Sequence, residues 1–111
     1  MTVFEKIIAR EIPADIVLEN DNLIAFRDVN PQAPVHVLIV PKRQITRLAD
    51  AAASDRELLG DLLLGAAEVA KKLALKTGFR VVINSGPDAG ESVPYLHVHL
   101  LGQRQLGWPP G

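Results

Sequence analysis

The chain has no cysteine, and only one methionine, one tryptophan and one tyrosine in 111 residues. Without cysteine there can be no disulfide framework and no thiolate zinc site. No apolar run approaches the 18 residues of a membrane-spanning helix. Neither sign of charge dominates: 12 basic and 13 acidic residues leave a formal net charge of −1. A duplex nucleic acid is therefore not an expected partner, since phosphate binding draws on a strongly basic face. Repeats, linkers, low-complexity segments and a signal-peptide pattern are also missing. The expectation is one soluble, cytoplasmic domain over residues 1–111, with no membrane partner. Histidine is scarce too, with three in the chain, at positions 36, 97 and 99.

What is present is enough apolar material for a core, 48% of residues, which argues against disorder. Thr2-Val3-Phe4-Glu5 predicts a capping box that opens a short helix ending before Pro13. Residues 15–19 and 22–27 read as a hairpin around Asn20-Asp21. Pro31 and Pro34 frame a loop into an apolar strand from Val35 to Val40, ended by Pro41. Ser54-Asp55-Arg56-Glu57 predicts a second capping box. It starts a long helix with the apolar stripe Leu58, Leu62, Ala66, Val69 and Leu73, ended by Thr77-Gly78. Strands follow at 79–84 and 95–101. Two helices and five hairpin-linked strands predict an α+β fold on an antiparallel sheet.

Tyr95-Leu96-His97-Val98-His99-Leu100-Leu101 carries most of the chemistry. Alternate residues of a strand share a face, so Tyr95, His97 and His99 are expected together, with Leu96, Val98 and Leu100 opposite. Two imidazoles so placed make a nucleophile, an acid/base pair or a metal site. They also occur as two hydrogen-bonded histidines on an edge strand. His36 interrupts the apolar run Val35-His36-Val37-Leu38-Ile39-Val40. Burying an unpaired polar group costs about 1–3 kcal/mol, so His36 is either bonded or functional. One site shared with His97 and His99 accounts for all three.

Two further segments stand out. Asn84-Ser85-Gly86-Pro87-Asp88-Ala89-Gly90-Glu91-Ser92 is a tight, irregular loop of the kind that presents N–H groups and hydroxyls to an anion. It is not a Walker A loop, and no helix follows it. Gly107-Trp108-Pro109-Pro110-Gly111 is a stiff aromatic tail that calls for a docking place.

Together these residues resemble the histidine triad (HIT) superfamily, and within it the Hint branch of purine nucleoside phosphoramidate hydrolases. The His-φ-His-φ-His-φ-φ pattern falls on Tyr95 to Leu101 without a gap. The resemblance extends over Phe4-Glu5-Lys6-Ile7-Ile8, Glu11-Ile12-Pro13-Ala14 and Ala25-Phe26-Arg27-Asp28. It continues through Pro31 to His36, Ile39-Val40-Pro41-Lys42 and Gly90 to Val93. Trp108-Pro109-Pro110-Gly111 is specific to the Hint branch. The resemblance implies His97 as nucleophile and His99 as donor to the phosphate. It implies Asn84 and Ser92 as contacts of the phosphate and leaving group, and His36 as a supporting histidine. It also implies an apolar base pocket of Phe4, Ile7, Ile12, Phe26 and Val29, with Asp28 on the ribose hydroxyls. By resemblance the protein is a homodimer whose two sheets join into one of ten strands, with Trp108 serving the partner's site. No cofactor and no metal are implied, and the substrate is an AMP-type purine nucleotide.

Two departures qualify this. The first histidine of the triad is Tyr95, which holds a hydrogen bond but does not titrate near neutrality. Glu91 stands where close relatives commonly carry Gln. It either alters specificity next to an anionic substrate or points to solvent. Lys42, Arg43 and Arg47 read as a solvated edge.

Other functions compete. A dinucleoside polyphosphate hydrolase of the same superfamily usually has Gln at the Asn84 position and lacks the Trp-Pro-Pro-Gly end. A zinc enzyme would use His36, His97 and His99, but no acidic residue in the motif offers itself as a supporting partner. A low-turnover nucleotide-binding dimer is the third alternative, which Tyr95 makes thinkable.

Overall fold

Thr2 opens the first helix as its sequence predicts. Its hydroxyl accepts the Glu5 N–H and the Glu5 carboxylate accepts the Thr2 N–H, both at 3.2 Å. The computed structural model describes all residues, 1–111. Helix α1 (Val3–Ile8) has six residues, too few to persist in water by itself. Burial of Phe4 and Ile7 against the sheet holds it. The hairpin that follows turns on Asn20, whose side-chain oxygen accepts the N–H groups of Asn22 and Leu23 at 2.8 and 3.0 Å.

Five strands form one sheet: β1 (Ile16–Glu19), β2 (Leu23–Arg27), β3 (Val35–Pro41), β4 (Phe79–Val82) and β5 (Val98–Gly102). Their order is β1-β2-β3-β5-β4 and every pairing is antiparallel. The α+β expectation holds. Central β3 is buried along its whole length, and strand alternation splits it between two cores. Val35, Val37 and Ile39 join Val98 and Leu100 under the long helix α2 (Arg56–Lys72). Leu38 and Val40 join Ile24, Phe26 and Tyr95 under α1. His36 lies on this second face.

Helix α2 buries the expected stripe. Leu62, Ala66 and Val69 are in the core, with Leu58 and Leu73 packed against it. Gly65 lets the helix approach closely, since a Cβ there would lie 2.9 Å from Leu23 Cδ2. Both ends differ from the sequence reading. The box between Ser54 and Glu57 does not form. A 3₁₀ turn, Ala53–Asp55, precedes the helix, and the Asp55 carboxylate takes the Ala52 N–H at 2.8 Å and Arg43 at 2.7 Å instead. The helix stops at Lys72, short of Thr77-Gly78. Ala74 turns left-handed (φ 54°), and the N–H groups of Ala74 and Leu75 return to the carbonyls of Lys71 and Ala70. That is a Schellman closure with alanine in the place glycine usually takes.

The last strands are also shorter than the sequence suggests. β4 ends at Val82, and β5 begins at Val98, not at 95. Pro94 has no N–H to offer a ladder. The Tyr95 N–H folds back to the Val93 carbonyl, and the Leu96 N–H goes to Ile45 in the loop after β3. The run from 93 to 97 is therefore a pinned bend that leads into the strand.

Candidate active site

The register of β3 against β5 sets Leu38 opposite His99 and His36 opposite Leu101. His36 Nε2 and His99 Nδ1 consequently meet at 2.9 Å. His97, one turn of the pleat earlier, stacks beside His99 with ring centroids 4.9 Å apart. The three histidines form one cluster, as expected. His36 and His97 are buried, and His99 is partly exposed.

The partners of these rings fix where their protons sit. A carbonyl can only accept, so His97 donates from Nδ1 to the Tyr95 carbonyl, 2.7 Å away. Its Nε2 is left with a free lone pair. The Gln32 backbone N–H can only donate, and His36 Nδ1 accepts it at 3.0 Å. Burial pushes His36 below the ordinary histidine range, against the nearby Asp28 carboxylate. The neutral ring therefore carries its proton on Nε2 and donates to His99 Nδ1. Burial, then the neighbouring His97 and His36, push His99 down to about 4. His99 is thus neutral at ordinary pH, and its proton is on Nε2. The cluster presents one lone pair and one N–H side by side.

A cavity of about 250 Å³ opens onto this pair. His97 and His99 line it together with Phe4, Ile7, Ile12, Phe26, Asp28, Val29 and Ser92. These are nine of the residues proposed from sequence. Val29 stands exposed at the mouth. Phe4 packs its ring edgewise on His97, centroids 4.9 Å apart, so the cavity wall also holds the histidine. The Asp28 carboxylate accepts the Asn30 N–H at 2.9 Å and lies 3.5 Å from His36 Nε2. An acidic partner for the histidines is thus present after all, brought in from the end of β2.

Other expected members lie elsewhere. Asn84 sits half-buried just past β4 and does not line the cavity. Trp108 is 84% exposed and does not line the cavity. Tyr95 is on the histidine side of the sheet but does not face His36 or His99. Its hydroxyl donates to the Pro41 carbonyl, and its ring is fully buried against Phe4. Burial holds its phenol at about 12. What Tyr95 offers His97 is its main-chain carbonyl. Glu91 neither borders the cavity nor points to solvent: it is paired with Arg47, which holds its carboxyl below the usual range. The supposed solvated edge is likewise paired, Lys42 with Glu19 at 2.8 Å and Arg43 with Asp55. Sequence reading missed the Gln32 N–H and the Pro41 carbonyl. The only hint was their place beside the prolines that frame the His36 strand.

As a family profile, the HIT domain matches residues 9–106. The chain belongs to the HIT family. It is similar to the 14 kDa zinc-binding protein of Zea mays, 54% identical over 99% of this chain and 88% of that one. It is 50% identical to adenylylsulfatase HINT1 of Arabidopsis thaliana, over 99% of this chain and 76% of the relative. A HIT family hydrolase from Legionella pneumophila has the same fold, with a TM-score of 0.97 at 45% identity and full coverage of both chains. Family and fold are therefore those of the HIT domain proteins.

Asp28, His36 and His99 also bring three donor atoms within 4.8 Å of one another. A carboxylate and two imidazoles suit zinc chemically. His97 is outside this set, unlike the three-histidine grouping expected from sequence. In such a complex both His36 Nε2 and His99 Nδ1 would need free lone pairs, which removes the proton that now joins them.

The low pKa of His99 makes stability depend on pH. The unfolded chain takes up a proton near 6.5, whereas the folded one resists it until about 4. Stability is full above 6.5 and falls as pH drops through that interval. His99→Gln should show a shallower fall than the parent chain. Urea midpoints followed by circular dichroism across this range check it, the difference between the two proteins being the readout.

Proposed function

We propose that the protein hydrolyses the P–N bond of purine nucleoside 5′-phosphoramidates, through a covalent nucleotidyl intermediate on His97. The observation that carries this is the free Nε2 lone pair of His97 beside the Nε2 proton of His99, at the end of an apolar cavity. A neutral imidazole is a capable nucleophile and a capable leaving group near neutral pH. In the first step Nε2 attacks phosphorus, the P–N bond breaks, and the departing nitrogen leaves as the amine with a proton from solvent, which the water of the second step returns. In the second step water attacks phosphorus, and the P–Nε2 bond breaks. Overall, water is divided: its hydroxyl goes to the nucleotide and its proton to the amine.

The other residues have supporting parts. His99 Nε2–H and the Ser92 hydroxyl donate to the phosphate oxygens, where charge gathers. His36, itself set by the Gln32 N–H, keeps His99 in the donating tautomer. Phe4, Ile7, Ile12 and Phe26 enclose the base, and the Asp28 carboxylate accepts from the ribose hydroxyls. Asn84 belongs to the same phosphate loop. The cavity is slightly below the roughly 300–1,000 Å³ of small-molecule sites, which suits a single nucleoside. A relative named as an adenylylsulfatase supports adenylyl transfer with a different leaving group. Any zinc held by Asp28, His36 and His99 would supply Lewis acidity to the phosphate, and these residues would orient it.

The proposal includes the Hint branch and a homodimer. The edge strand β4 carries Phe79, 46% exposed, and α2 exposes Leu63 and Leu64. An uncovered edge with apolar neighbours favours pairing with a second copy. Trp108 would then reach the partner's site.

Brief mixing with an adenosine phosphoramidate, followed by peptide mass spectrometry, should find an adenylyl adduct on His97. His97→Ala should lose hydrolysis by several orders of magnitude and keep nucleotide binding. Activity within about tenfold of the parent, a barrier change near 1.4 kcal/mol, overturns the assignment. Activity should survive a chelator. Light scattering at micromolar concentration should give the mass of two chains; one chain overturns the dimer.

Tyr95→Phe should slow turnover by about five- to tenfold, the usual range for one neutral hydrogen bond. It leaves the Pro41 carbonyl unpaired and loosens the carbonyl that orients His97. Tyr95→His should not raise turnover, because this side chain is aimed at Pro41 and not at the His36–His99 pair. Steady-state kinetics on the two variants check both statements.

A further inference from the structure

Loop 84–92 turns sharply at two glycines. Gly86 and Gly90 are both left-handed, at φ 88° and 75°, and only the 3₁₀ turn Pro87–Ala89 lies between them. One side chain closes it. The Glu91 carboxylate accepts the Gly86 N–H at 3.1 Å, while the Glu91 N–H returns to the Gly86 carbonyl at 3.2 Å. Arg47 then grips the same carboxylate with Nε at 2.9 Å and Nη2 at 3.1 Å. The Glu91 side chain is 12% exposed. A forked, partly buried arginine–carboxylate contact has more geometric authority than an open surface pair. Two residues on, the Ala49 N–H donates to the Ser85 hydroxyl at 3.2 Å.

The segment 47–50 therefore holds the loop at both ends, at Ser85 and at Glu91. Each anchor is next in the chain to a residue of the proposed phosphate loop: Asn84 before Ser85, and Ser92, which lines the cavity, after Glu91. We infer that the Arg47–Glu91 pair is a positioning clamp for the nucleotide phosphate, acting through Ser92 and Asn84 without touching the ligand. This rests on the nucleotidyl-transfer reading above. It also explains the carboxylate at 91: a glutamine could keep the Gly86 contact, but it could not accept both arms of a guanidinium.

Titration calorimetry of the full chain with AMP and with adenosine tests the clamp. The parent should prefer AMP. Arg47→Ala should lower AMP affinity about five- to tenfold and leave adenosine within about twofold, as expected when a charge-assisted anchor of the phosphate side is lost. Arg47→Lys, with charge but no fork, should fall between them. If Arg47→Ala does not fold, Glu91→Gln has the same reading, with AMP affinity down about threefold and adenosine unchanged. A parent that binds AMP no better than adenosine overturns the nucleotidyl reading itself. A parent that prefers AMP, with variants that keep the full preference or lose both ligands equally, overturns the clamp alone.

Discussion

The pairing of β3 with β5 decides the rest of this molecule. Its register sets Leu38 against His99 and His36 against Leu101, and only that register lets His36 and His99 share a proton. A slip of one residue would move every side chain of β5 to the other face. Val98 and Leu100 would then leave the core under α2, and the histidines would enter it. Core and site are thus specified by a single choice, and the apolar faces enforce the polar one.

From that register follows a hierarchy of main-chain control. Two backbone groups, the Gln32 N–H and the Tyr95 carbonyl, fix the tautomers of all three imidazoles. Neither depends on the identity of its own side chain. This is why a tyrosine can stand in the triad: the position serves His97 through its carbonyl, and the side chain has only to hold that carbonyl still. The hydroxyl does so at Pro41, the last residue of the strand that carries His36.

Much of this is legible in the sequence. Period-two and helical patterns gave the strands and helices, the Thr2–Glu5 box opened α1, and the three histidines were grouped from scarcity and alternation. The errors share one physical cause. Periodicity records which face a residue takes but not what its backbone bonds to. The start of β5 was misplaced because Leu96 bonds Ile45 and not a strand. The end of α2 was misplaced because Ala74, an unlikely left-handed residue, closes it. Glu91 was misread because its partner is 44 positions away, and Tyr95 because its acceptor is a carbonyl 54 positions away. Asp28 was assigned to the ribose with no sign that it also approaches His36.

The two faces of the sheet are unequally covered. One lies under the seventeen residues of α2, the other under the six of α1. Phe4 and Ile7 are at once the anchor of the short helix and the wall of the cavity. Local opening of α1 thus removes the wall and the packing of His97 while the larger core stays shut. The plane of the sheet thus separates a thinly covered half from a thickly covered one. The histidines sit on the side whose cover is a helix too short to stand alone.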